Sequence, residues 1–242
     1  MTPADWAALA AIFFFASCLQ AGVGFGMGML AAPFIALIDP GLLPASVISM
    51  SILLTSVVTL AERDSLDLRG AGWALLGRVP GSVAGALLVT VMAPAVLSWV
   101  VVATVVAGVV FSLRGWAPKV TRWSQILAGA ASGIMGTTTS IGGAPMAILW
   151  QGSDSARLRG TLSAFLLVGS IISLGLLLAF GAVEPRTWVV VLWMTPVALL
   201  GFAVSRLITP HLDKARTKRI ALGASLVGCG LLVVTQLVQL LG

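Results

Sequence analysis

Apolar residues along this chain gather into eight blocks, at roughly 5–38, 42–61, 71–91, 95–113, 123–150, 160–180, 187–206 and 220–241. Six have the length of one membrane-crossing helix, about 20 residues. The first and fifth are too long for that. At about 1.5 Å per residue they would make helices of roughly 51 and 42 Å, against a hydrocarbon core of about 30 Å. Each is also interrupted by glycine, at Gly22–Gly28 and Gly133–Gly143, and each then carries Ala-Pro, at Ala32-Pro33 and Ala144-Pro145. The pattern predicts an all-α polytopic membrane protein in which these two blocks are broken hairpins.

Composition agrees. The chain is 59% hydrophobic and 9% charged, whereas a soluble domain carries about 25% charged residues. Lipid must cover what charge does not. The net charge of +6 comes from loop clusters and not from a basic face interleaved with aromatics, which excludes nucleic acid as a partner. Cys18 and Cys229 both fall in apolar runs and are read as buried thiols. The start, Met1-Thr2-Pro3-Ala4-Asp5, has no basic n-region, so the first block is read as mature protein.

The bases decide the topology, because cytoplasmic loops of membrane proteins are enriched in Lys and Arg. If every block crossed once, Arg63, Arg69, Arg114, Lys119, Arg122 and Arg186 would face Arg157, Arg159, Arg206, Lys214, Arg216, Lys218 and Arg219, six against seven. If blocks one and five turn back, twelve bases share one side, Arg186 stands alone on the other, and Arg78 lies within a segment. The biased arrangement is adopted. It places loops 62–70, 114–122, 151–159 and 207–219 in the cytoplasm and both termini outside a bacterial inner membrane.

The halves repeat. Gly24, Pro33 and Leu37 recur 112 residues later as Gly136, Pro145 and Leu149. Ser49, Ser56 and Thr59 match Ser163, Ser170 and Ser173, and Pro80 matches Pro196. Residues 1–118 (hairpin 5–38 and three crossings) and 119–242 (hairpin 123–150 and three crossings) thus form two repeats. Three crossings invert the second copy, which is a transporter signature. Hairpin arms of 12–15 residues are expected to meet near the midplane.

Each hairpin tip starts a half-helix, whose free N–H groups and dipole favour an anion. The candidate contacts are Gln20, Gly22, Gly24, Gly26 and Gly28 at the first tip, and Gly136, Thr137, Thr138, Thr139, Ser140 and Gly142 at the second. The hydroxyl run is read as ligand-binding; its alternative is hydrogen bonding back to the preceding turn. Arg78 is placed about seven residues into its helix, where it either serves the anion path or snorkels to the interface. On this reading Thr138 and Ser140 bind the anion more than Arg78 does. Met50, Phe165 and Phe202 are assigned to packing. His211, the only histidine, sits in a basic loop. No acid lies mid-segment, no metal-ligand cluster is apparent and no nucleophile has a base beside it, so neither cofactor nor catalysis is expected.

Gln20-Ala21-Gly22-Val23-Gly24-Phe25-Gly26-Met27-Gly28 with Ala32-Pro33, and Gly133-Ile134-Met135-Gly136 through Gly142-Gly143-Ala144-Pro145, resemble the paired motifs of the TauE/SafE sulfite exporter family over nearly the whole chain. The resemblance implies a permease for sulfite, sulfonates such as sulfoacetate, or related anions. By position it places Gly24, Gly26, Gly28, Thr137, Thr138 and Ser140 at the substrate site. Thr138 and Ser140 stand where the first motif has Gly26 and Gly28, so the tips differ chemically. The expected partners are a small anion and membrane lipid, with room for a homodimer. A passive anion channel or a membrane assembly subunit is the competing function.

Overall fold

A computed structural model of the chain describes residues 1–63, 68–114, 118–151, 155–208 and 214–241. His211 lies outside them. The described residues form ten α-helices, one 3-10 turn and no strand. Thr2 opens α1 (Pro3–Val23) with a capping box to Asp5, and Pro3 occupies the first turn, where its missing N–H is not needed. Gly24, at φ 88°, ends the helix in the left-handed conformation, with its N–H on the Gln20 carbonyl. Gly26, at φ 105°, then starts α2 (Met27–Ile38). A 3-10 turn at Pro40–Leu42 leads to α3 (Ala45–Ala61). Next come α4 (Leu68–Val91) and α5 (Pro94–Arg114).

The second half opens on α6 (Arg122–Thr139), capped by Thr121 with Ser124, and breaks at Ser140–Gly142 before the short α7 (Gly143–Leu149). It continues through α8 (Ser155–Ala179), α9 (Arg186–Ile208) and α10 (Lys214–Leu241). Ser140, at φ 65°, is the one described non-glycine residue in the left-handed region, a conformation that costs an L-residue roughly 1–2 kcal/mol.

Both long blocks are therefore broken, but their arms are unequal. The first arms are 21 and 18 residues and the second arms 12 and 7, not 12–15 throughout. Nothing between Ala7 and Gln20 interrupts α1, so it runs on to Gly24. Among the described residues six helices are long and apolar enough to cross a membrane: α1, α4, α5, α8, α9 and α10. The block at 42–61 is not among them. Two prolines and Gly41 take up its entry turn, and α3 keeps 17 residues.

Small residues let pairs of helices approach to backbone contact. Along α4 and α6, a Cβ added at Gly133 would lie 2.7 Å from the Ser82 nitrogen, and one added at Gly81 would lie 2.9 Å from the Ala130 carbonyl carbon. Such small-residue seams hold helices together where lipid supplies no hydrophobic drive. The two helices are parallel: Gly77 meets Ile126, Gly81 meets Ala130 and Gly85 meets Ile134 and Thr137. In the same way α1 and α9 run parallel, with Gly201 against Phe14 and Ser205 donating to the Cys18 carbonyl at 2.8 Å. Helix α3 packs on α8, and α5 on α10. Exchanging the halves turns α1–α9 into α6–α4 and returns α3–α8 and α5–α10 to themselves. Large apolar side chains such as Leu192, Trp193, Val227 and Val234 point outward, as a lipid-facing surface requires. Cys18 and Cys229 are free thiols.

Candidate functional site

The two breaks touch. A Cβ added to Gly28, in the first turn of α2, would lie 2.7 Å from the Ser140 carbonyl carbon. Only glycine lets the backbone come so close. Between them lies a cavity of about 30 Å³, lined by Gln20, Phe25–Met29, Ser140–Ala144 and Gly136 from the broken segments, by Ile48 and Ser51 of α3, by Leu166 and Ser170 of α8, and by Arg78 of α4.

Arg78 sits ten residues after the start of α4 and thirteen before its end, near mid-helix. It does not snorkel: the residue is 2% exposed. Its guanidinium lies over the Phe165 ring, 5.1 Å from the centroid. Nη1 donates to Ser132 Oγ on α6, and that hydroxyl donates onward to the Gly142 carbonyl at the second break. Three glycines make the space. Cβ atoms added at Gly142 and Gly136 would lie 2.7 Å from Nη1 and 2.9 Å from Nη2, and one at Gly169 would fall within 2.8 Å of Nη2. Nε has no hydrogen-bond partner, and among the described residues no carboxylate pairs with this cation. A buried charge without a counter-charge costs several kcal/mol.

The start of α2 faces the same cavity. Its N-cap, Gly26, has no side chain to give, and the first N–H groups of a helix have no acceptor within it. Gln20 answers one of them: its Oε1 accepts from the Met27 N–H at 3.3 Å. Gly28 and Met29, whose N–H groups also lack an acceptor within the helix, line the cavity. Two positive features, a helix N-terminus and a guanidinium, thus converge on one small space.

A family model described as "Sulfite exporter TauE/SafE" matches residues 9–232. The chain belongs to the TauE/SafE family. No curated protein matches it, and no solved structure does. Family and fold together make it a transmembrane transport protein.

In this TauE/SafE chain, Gln20, Gly26, Gly28, Arg78, Gly136, Ser140 and Gly142 line the cavity, whereas Gly22, Gly24, Thr137, Thr138 and Thr139 do not. The threonines lie inside α6, which continues to Thr139, and each hydroxyl already has a partner. Thr138 donates to the Ile134 carbonyl at 2.8 Å and Thr139 to the Met135 carbonyl at 2.7 Å, while Thr137 shares a 2.7 Å bond with Ser173. Ser140 Oγ is also engaged, donating to the Pro44 carbonyl at 2.9 Å. Sequence reasoning missed Ser132, Gly169 and Phe165, which seat the guanidinium. Glycine at 169 on α8 carried no local signal, because its neighbour is 91 residues away.

In the turn between α2 and α3, Asp39 pairs with Arg186 at 2.7 Å, and Arg186 also engages Glu184. Toward the ends of helices carrying Arg114 and Arg219, a chamber of about 360 Å³ opens between α1, α5, α7 and α10. Among the described residues no group of three or more His, Cys, Asp or Glu gathers as a metal would require.

Proposed function

We propose that the protein is a permease for a small sulfur oxyanion or related organosulfur anion, bound between the start of α2 and the guanidinium of Arg78. The observation that carries this is the convergence on one cavity of a helix N-terminus, with one N–H met by Gln20, and a buried cation without a carboxylate among the described residues. An anion there would relieve both at once. The expected ranking of side chains is thereby reversed: Arg78 is the primary contact, and Thr138 serves its own helix.

An inverted repeat accounts for the packing, since exchanging the halves preserves which helices pair. The parallel runs of α1 with α9 and α4 with α6 fit an N-terminus on the side of Arg186, opposite the base-rich loops. On this reading the two broken blocks re-enter, the termini face outward from a bacterial inner membrane, and the 360 Å³ chamber opens to the cytoplasm. Saturable flux that one anion reduces for another would separate this carrier from a passive channel.

The test is a thermal-shift and binding screen of the purified protein against sulfite, sulfate, thiosulfate, sulfoacetate, taurine and acetate, repeated with Arg78→Gln. At least one oxyanion should stabilise the wild type. Arg78→Gln should weaken its binding by about 10- to 150-fold, the worth of a hydrogen bond to a charged group of about 1.5–3 kcal/mol. Its anion-free form should melt at a higher temperature, because an uncompensated buried charge has gone. Undiminished affinity in Arg78→Gln would overturn the assignment.

A further inference from the structure

The small cavity and the large chamber share four residues: Phe25, Gly26, Met29 and Ala144. Of these, Phe25 and Met29 have the side chains long enough to stand between the two spaces. Phe25 is also unusual in its backbone setting. It lies between Gly24 and Gly26, both with positive φ, outside both helices. Its ring packs against both large hydrophobic clusters. It touches the second break as well: a Cβ added to Gly143 would lie 2.9 Å from Phe25 Cβ. Met29 reaches the opposite wall, where a Cβ added to Gly108 would lie 3.2 Å from its methyl group.

The volumes give the partition a chemical meaning. A water needs about 10–15 Å³ in such a cavity, so about 30 Å³ holds roughly two. That is the scale of a single-centre oxyanion, not of a sulfonate with an alkyl tail. The tail would have to lie where the Phe25 ring stands. Beyond the ring it would meet walls such as Leu19, Ile148 and Leu222, which are apolar and suited to alkyl groups.

We infer that Phe25, seconded by Met29, is the length filter of this carrier: it confines the bound anion to its oxyanion head and excludes tailed sulfonates by occupying the space their tails need. This rests on the reading of the 30 Å³ cavity as the anion site. Removing the ring joins the cavity to the chamber and converts a single-centre selectivity into tolerance of alkanesulfonates. An apolar site distinguishes ligands by about 10- to 200-fold per methylene, so the change should be easily resolved.

The experiment measures competition against labelled sulfite flux in proteoliposomes of the full chain, using sulfite, methanesulfonate, propanesulfonate and butanesulfonate. In the wild type, sulfite should compete and propanesulfonate should be at least about 10-fold weaker. In Phe25→Ala the inhibition constant for propanesulfonate should fall by at least about 10-fold, while that for sulfite changes less than about 3-fold. Phe25→Leu, which keeps the contact with Gly143, should give an intermediate value and serves if the alanine variant does not fold. Equal competition by sulfite and propanesulfonate in the wild type overturns the filter, as does undiminished exclusion of propanesulfonate in both variants. If the wild type binds none of these anions, the site itself is wrong; if it binds sulfite and the Phe25 variants leave the tail limit unchanged, only the filter is.

Discussion

The two breaks use one backbone device for different ends. At Gly24–Gly26 the chain leaves and re-enters helix through two left-handed glycines, with a phenylalanine between them and Gln20 as the side-chain tie, accepting from the Met27 N–H and donating to the Gly24 carbonyl. At Ser140–Gly142 the turn is held by side chains: Ser140 to the Pro44 carbonyl, and Ser132 to the Gly142 carbonyl with Arg78 behind it. The first break offers backbone and sets a ring between the two clusters. The second is tied down and holds charge. Equal glycine content in the two motifs hides this division of labour.

The strongest way to break this comparison is to push the breaks apart. Gly28→Leu should abolish sulfite flux in proteoliposomes, because its side chain must enter the space of the Ser140 carbonyl. Gly136→Leu should do nearly as much by displacing the guanidinium, and binding measurements should show the affinity lost with the flux. Ser132→Ala unhooks Arg78 from the second break and should weaken anion affinity by about tenfold, matching the loss of one hydrogen bond to a charged group. Gln20→Ala frees the Met27 N–H and the Gly24 carbonyl, both neutral groups, and a change of about two- to fivefold is expected. Thr138→Val keeps the shape and removes a hydroxyl that serves its own helix, so affinity should stay within about twofold. A large loss in Thr138→Val beside a small one in Ser132→Ala would invert the assignment of charge to the second break.

Much of this was legible before any coordinates. The scarcity of charge and the length of the apolar blocks pointed to an all-helical membrane protein, and Gly24, Gly26 and Gly142 marked both interruptions. The cavity's lining was only partly legible. Gly26, Gly28, Gly136 and Gly142, which line it, stood out because close backbone approach demands glycine locally. The threonine run does not line the cavity: α6 continues to Thr139, so Thr138 and Thr139 bond carbonyls four residues back, while Thr137 pairs with Ser173 on α8. Arg78 was seen, but its surroundings were not. Whether an arginine in an apolar segment snorkels or is seated depends on Ser132, Phe165 and Gly169, which only packing brings to it.

The seating of that arginine has an electrical consequence. Arg78 is the only charged side chain that is fully buried among the described residues, and glycines, a ring and a hydroxyl clamp it in place. A charge that stays put cannot escort the cargo across. Each monoanion carried would therefore move one uncompensated charge through the membrane field, worth about 2.3 kcal/mol per 100 mV. That is about a 50-fold bias in equilibrium concentration. In a cell that is negative inside, the resting voltage alone would drive such an anion outward, with no coupling ion required.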